Sequence, residues 1–471
     1  MSMARYVIEI DTDTPEGTVY LSSITRSWKG AQTWPILKSI SSFTRAIHYD
    51  FSIENSTVTI SMHNVPRFID RKLLSGNVDI VESPVRIYDG DDLIFSGWVK
   101  KTPRGKRGEL DIIADIFTCF SRPVAPLLKK EIFSTIPDEN AGKTGTVFWG
   151  TANADAEKKG KMKAYRIGTG KFHASWKTVS SLLAVYDKDG NDISADTTLL
   201  IKDSGRSVLL YDSDDLYIRF NALGPEDTGT LIENPADMFQ EVISAYGAGF
   251  PIDTTAARQV FINRAYHTGN VIGFDHSSPH SWVEFFRYFS ESFGCHIIPR
   301  RDGTITLKMM EWQYETPSLK IHPSRLKEYT PFRNEEKVVG AVCRKNNFLF
   351  SEAKYLRTPQ DVPGCSNRTS VKTLNQKYAV EDSVSLDVAR RLAKVLGKPL
   401  LEYSFYVPRS IARQIDLGDV VELKNPISRP NVYQGYRLAL ITREIRNPST
   451  GFVGFEGLDV HDMEDNLDPI N

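Results

Sequence analysis

Several short constellations in this chain hold residue types that could do chemistry, and each lacks a part that its mechanism needs. Gly142-Lys143-Thr144 has the ending of a phosphate-binding loop, where backbone N–H groups cradle phosphates and the lysine neutralises them. The glycine required at the loop's start is replaced by Pro137, which has no N–H to point at a phosphate, so the segment reads as an exposed turn. Gly168-Thr169-Gly170-Lys171 reads as a two-glycine turn with no strand-to-helix context around it. His276 and His280 stand four apart beside Asp275, the spacing of a zinc-binding helix. Ser277, Ser278 and Pro279 make that stretch a loop, and the glutamate base of the zinc-protease motif is missing. It reads as a solvated connection, with an adventitious metal site as the sharper alternative.

The four cysteines, Cys119, Cys295, Cys343 and Cys365, are far apart. None lies in a Cys-x-x-Cys run, which argues for reduced thiols over disulfides or an iron–sulfur cluster. Cys295-His296 are neighbours in a predicted strand and so point to opposite faces, which leaves the thiol as a small buried side chain. There is no Gly-x-Ser-x-Gly elbow, and carboxylates are plentiful without a pattern that pairs them. The densest charge run, Lys100 to Arg107, holds Pro103 and Gly105 and reads as a hairpin tip, with a partner contact or an anion-binding rim as the alternative. It has no interleaved aromatics for stacking on nucleic acid. No catalytic, cofactor-binding or metal-binding residue is assigned on these grounds, and a protein that is not an enzyme is expected.

The elements that surround these motifs belong to a chain of 471 residues, 41% hydrophobic and 25% charged, which predicts three to five globular domains. Its net charge of −1 sets up no global field toward nucleic acid or an anionic membrane. No apolar run has the length of a signal peptide core or a membrane span, so folding in a cytoplasm without stable membrane insertion is expected.

Residues 1–118 read as nearly all β. Val58, Ile60 and Met62 alternate with polar residues, as do Leu110, Ile112, Ala114 and Ile116, and a hairpin at Asp89-Gly90 joins two further strands. A short helix is expected near Phe68–Leu74, and the whole as a barrel or sandwich. Residues 119–230 form an inserted β-rich domain of undetermined fold, with strands at Thr198–Lys202, Ser207–Tyr211 and Leu216–Phe220. Residues 231–335 form an α/β domain. Asn234 caps one helix, and the box Ser281-Trp282-Val283-Glu284 opens another with an apolar stripe of Trp282, Phe285, Phe286, Phe289 and Phe293. Gly294 ends it, and a hairpin turning at Arg301-Asp302-Gly303 follows. Residues 336–471 hold linker strands, a helix capped by Ser383, and a closing antiparallel barrel. That barrel is built on Leu401–Val407, the Leu417-Gly418-Asp419-Val420-Val421 turn and strand, and a hairpin around Asn447–Gly451. The fold class is therefore multidomain, β-rich α+β, with a barrel near each end.

The order of helix, alternating strand, Leu-Gly-Asp-Val-Val and terminal hairpin resembles the closing module of bacteriophage tail hub proteins, the baseplate components that cap the tail tube. Phe95-Ser96-Gly97-Trp98-Val99 after a hairpin is similar to their first domain, and Glu233-Asn234-Pro235 with the aromatic helix and Asp-Gly hairpin is similar to their middle domain. The resemblance implies a structural virion protein of the tail, assembled in the host cytoplasm. It implies a homotrimeric ring in which the Gly97-Trp98-Val99 and Gly418-Asp419 barrels line the conduit for genome ejection. Implied partners are copies of itself, distal tail or tube proteins, fibre or spike proteins and the tape measure protein, with transient contact to passing DNA. The rival reading is a carbohydrate-binding or carbohydrate-degrading tail protein that holds sugars within residues 119–227, with Trp149 and Trp176 read either as exposed stacking platforms or, equally, as core residues.

Overall fold

The computed structural model describes residues 3–12, 17–48, 51, 56–63, 80–102, 109–115, 127–147, 149–150, 162–202, 205–224, 226–227, 230–246, 251–264, 266, 282–309, 316–333, 340–346, 353–357, 371–375, 384, 387–388, 391–392, 401–424 and 436–460. Outside the described residues lie the expected Phe68–Leu74 helix, residues 103–107 of the basic run, Cys119, Cys365, His276, His280, and the caps Ser281 and Ser383.

The molecule is β-rich with few helices. Its first sheet has eight strands, in the order Trp34–Pro35, Thr18–Ser22, Tyr6–Asp11, Pro84–Asp89, Asp92–Lys101, Glu109–Asp115, Thr57–His63 and Leu37–Ile40. The two outermost strands are chain neighbours separated by Ile36 alone, and the Ile36 carbonyl accepts the His63 N–H at 2.8 Å. The path therefore curls back on itself into a nearly closed barrel. Alternation explains the filling: Val58, Ile60 and Met62 are buried between exposed or half-buried neighbours, and Ile60 lies opposite Ile112. The hairpin expected at Asp89-Gly90 is present, with Gly90 at φ 65°, the left-handed conformation that suits glycine.

The closing sheet repeats the device. Its order is Leu319–Ile321, Val420–Lys424, Tyr436–Arg446, Phe452–Asp459, Leu401–Pro408 and Lys327–Arg333, and its outermost strands are again chain neighbours. Tyr403, Phe405 and Val407 point into its core, as their alternation predicts. Two features correct the expectation of purely antiparallel barrels. Leu319–Ile321 pairs in parallel with Val420–Lys424, and Thr18–Ser22 does so with Trp34–Pro35. In addition, the short Phe43–Ala46 strand leaves the first barrel and pairs with Tyr436–Arg446 of the closing one.

Between them, residues 162–223 form a six-stranded antiparallel sheet in the order Ser181–Tyr186, Tyr217–Leu223, Met162–Gly168, Lys171–Ser175, Ser207–Leu210 and Thr198–Ile201. One face buries Met162, Phe172, Leu209 and Phe220. The other is covered by the segment 127–147, through Leu128, Phe133 and Ile136.

The α/β unit joins helix Pro235–Tyr246, helix Thr255–Asn263, helix Trp282–Phe293 and the hairpin Cys295–Pro299/Ile305–Met309. Asn234 Oδ1 accepts the Ala236 N–H at 2.9 Å, the capping that the sequence predicts. Phe285, Phe286, Phe289 and Phe293 are fully buried. Phe239 of the first helix sits 4.8 Å from Phe289, ring centre to ring centre. Helical residues Val384, Val388 and Leu392 belong to the same core, and Gly294 turns under Val388 at φ 66°.

Candidate functional site

The residues whose chemistry the sequence raised are dispersed. Lys143 stands in a turn, 2.8 Å from Asn140 Oδ1 and over the Tyr165 ring, and Gly142 holds φ 83°. Gly168 pairs with Lys171, which makes Thr169-Gly170 a hairpin tip. Cys295 is a buried free thiol, its pKa pushed up by desolvation so that it stays protonated. Among the described residues, no group of three His, Cys, Asp or Glu side chains is arranged to hold a metal. Of the two readings of the tryptophans, Trp149 takes the core one, at 0% exposed, and Trp176 is half-buried against Phe133.

What the fold does assemble is a buried charged junction, drawn from four distant parts of the chain. Arg45 comes from the crossing strand Phe43–Ala46, and lies directly across from Glu444 in the strand register. Arg45 Nε donates to Glu444 Oε2 at 2.9 Å, Nη2 to Asp416 Oδ1 at 2.7 Å, and Nη1 to the Pro299 carbonyl at 3.2 Å. Arg301, in the turn of the α/β hairpin, donates from Nη2 to Glu444 Oε1 at 2.7 Å and from Nη1 to the Ala412 carbonyl at 3.0 Å. Arg446 lies two residues beyond Glu444 on the same strand face, and its Nε reaches Oε1 at 2.6 Å.

Local turns aim these groups. Asp416-Leu417-Gly418-Asp419 closes on itself through the Asp416 N–H, which donates to Asp419 Oδ2 at 2.7 Å. Gly418 has φ 77°, and a Cβ there would lie 2.6 Å from Ile298 Cδ1. The glycine thus serves both the turn and the close seating of the α/β hairpin on the barrel. Gly303 does the same on the other side, at φ 86° with the Ser96 hydroxyl of the first barrel beside it.

Burial alone would raise the Glu444 carboxyl, yet Arg301, Arg446 and Arg45 outweigh it and hold Glu444 well below the usual carboxylate range. Asp416 behaves alike: desolvation opposes ionisation, and Arg45 and Arg301 prevail. Both are acceptors only, and their pairing is the condition for burying these guanidinium groups.

A second contact lies nearby. Asp89, at the tip of the first barrel's hairpin, receives Arg5 Nε and Arg409 Nη1, the latter at 2.9 Å. Arg409 Nη2 donates to the Pro448 carbonyl at 2.8 Å, and the Tyr6 hydroxyl donates to the same carbonyl at 3.2 Å. Between the two contacts runs a polar cleft of about 370 Å³, bounded by both barrels and the α/β turn.

No family model matches the chain, and no curated protein does. Among the solved structures it is similar to are three tail proteins. The 43 kDa tail protein of prophage MuSo2 from Shewanella oneidensis shares 7% identity at a TM-score of 0.42, over 97% of this chain and 99% of that one. A tail protein from Neisseria meningitidis MC58 shares 8% identity at 0.42, over 97% and 99%. Prophage tail protein gp18 from Listeria monocytogenes EGD-e shares 10% at 0.42, over 98% of both chains.

Sequence reasoning missed the junction. Glu444 and Arg446 fall in the strand Tyr436–Arg446, where Arg443, Glu444 and Arg446 carry no local mark of burial. The one available signal was Arg45, a lone cation in the short apolar run Phe43–Ile47.

Proposed function

We propose that the chain is a structural component of a phage or phage-like tail, a hub at the tail tip that acts through shape. The observation that carries this reading is the pairing of two nearly closed barrels, joined by an exchanged strand and a buried charged junction. A part that must keep two barrels in fixed relation suits a ring whose wall they form together. The resemblance of the Gly97-Trp98-Val99 and Gly418-Asp419 segments to hub modules supports the same assignment. On this reading three copies close a ring matched to a sixfold tube, with fibre or spike components attached, and the conduit passes DNA. No enzymatic step is part of it.

Counting copies per assembled tail by quantitative mass spectrometry tests the reading. Three copies are expected. Six copies, or absence of the protein from purified tails, would overturn it.

A further inference from the structure

The six-stranded middle sheet treats its two edges differently. Along Ser181–Tyr186 a bulge interrupts the register between Leu182 and Ala184, and the returning chain covers the far end. There the Ile193 N–H donates to the Val185 carbonyl at 2.9 Å, and the Val185 N–H donates to Ser194 Oγ at 2.9 Å. The opposite edge, Thr198–Ile201, has neither device. It carries no charge, proline or glycine, Leu199 and Leu200 are half-buried, and Ile201 is 46% exposed.

The backbone of that edge is open to a further strand. Thr198–Ile201 pairs with Ser207–Leu210 alone. The Lys202 N–H donates to the Arg206 carbonyl at 2.7 Å in the same register, so by alternation Leu200 and Thr198 also turn their backbone groups toward Ser207–Leu210. Leu199 and Ile201 therefore aim theirs outward, and no hydrogen bond to a described residue occupies them. Such an edge is a template for another chain.

The flanking charges select what that chain is. Two antiparallel registers would set the outward groups of two copies against each other, one centred on Leu199 and one on Leu200. Centring on Leu199 pairs Leu199 with the partner's Leu199, Thr197 with the partner's Ile201, and Asp196 with the partner's Lys202. Asp196 and Lys202 are exposed at the two ends of the strand, and neither side chain has an ion-pair partner among the described residues. Opposite charges facing across an antiparallel pair are stabilising, and here the two-fold axis makes the match twice.

We infer that Thr198–Ile201 is a docking strand for a second copy of this chain, which pairs antiparallel about Leu199 with Asp196 of each copy against the partner's Lys202. The two middle sheets then run on as one across a two-fold axis. The contact is short, so the dimer is weak, with a Kd on the order of 10–100 µM. A two-fold axis joins chains that do not share a threefold ring, so the inference stands apart from the function proposed above.

Sedimentation velocity of the full chain over a range of about 1–300 µM, which brackets such affinities, tests it. The parent should pass from monomer to dimer. Asp196→Lys and Lys202→Glu, both at exposed positions, each set like charges together at both ends of the contact. Each variant alone should dimerise about tenfold more weakly, with its circular dichroism unchanged. Mixing the two variants restores opposite charges at both ends, so the mixture should form a heterodimer about as tight as the parent dimer. A parent that stays monomeric throughout, a dimer that neither variant weakens, or a mixture that associates no better than its components would overturn the inference. A parent that forms trimers, unaffected by either variant, would overturn it too and leave the ring reading in place.

Discussion

The aromatic face of helix Trp282–Phe293 and the Glu444 junction are both buried, and they are built from opposite chemistry. The helix fills its surroundings with rings whose contacts are numerous and individually weak, so any neighbour that fits can contribute. The junction concentrates its interactions on one carboxylate held by three arginines from three parts of the chain. Packing of the first kind makes a core stable. The second kind fixes which parts may meet, because a misplaced barrel would leave charges buried and unpaired. We therefore expect the two regions to fail differently when cut.

The largest effect is expected at Glu444→Ala, which removes the carboxylate that Arg45, Arg301 and Arg446 share and leaves Asp416 beside Arg45 and Arg301. Loss of one partner from a buried ion pair typically costs about 3–5 kcal/mol, and three partners here place the expectation near the upper end. Chemical denaturation should show this loss, and limited proteolysis should cleave between the barrels first. A variant as stable as the parent would mean that water already solvates the junction. Phe286→Ala comes next, at about 3–4 kcal/mol for a buried ring replaced by a cavity. Its loss should appear as lower overall stability with the barrels still docked, and selective barrel separation would mean that the aromatic core, too, sets how the barrels meet.

The same contrast decides what could be read from the sequence. Phe285, Phe286 and Phe289 announce their burial by local spacing, and Val58, Ile60 and Met62 do so by alternation, because those periods follow from backbone geometry alone. The junction gives no such signal. Arg45 and Glu444 are 399 positions apart, and whether a strand glutamate is wet or buried depends on what arrives over it. The Phe43–Ala46 strand is only four residues long, too short for alternation to show. In the middle sheet, Met162–Gly168, Lys171–Ser175 and Ser181–Tyr186 escaped notice, since Lys163, Arg166 and the glycines at Gly168 and Gly170 mask the alternation that Met162 and Ala164 begin.

The effect that is smallest per step, read one pH unit at a time, separates buried groups by acidity. Glu444 and Asp416 have pKa values below those of the unfolded chain, 4.5 and 3.8, so their contribution is complete above those values and is lost as pH falls below them. His173 titrates in another window. Its ring is fully buried between Trp176, at 4.5 Å, and Phe133, at 5.7 Å, on the face that segment 127–147 covers. Desolvation, with the nearby Arg206 charge, holds its pKa down to about 3, against 6.5 when unfolded. The folded state therefore resists a proton that the unfolded state accepts, and stability is lost as pH falls from 6.5 toward 3. The slope is at most about 1.4 kcal/mol per pH unit. Melting followed across this range should show a decline that begins near pH 6.5 and a second one below 4.5. His173→Phe should abolish the first and leave the second, while a first decline that persists in that variant would assign it to another group.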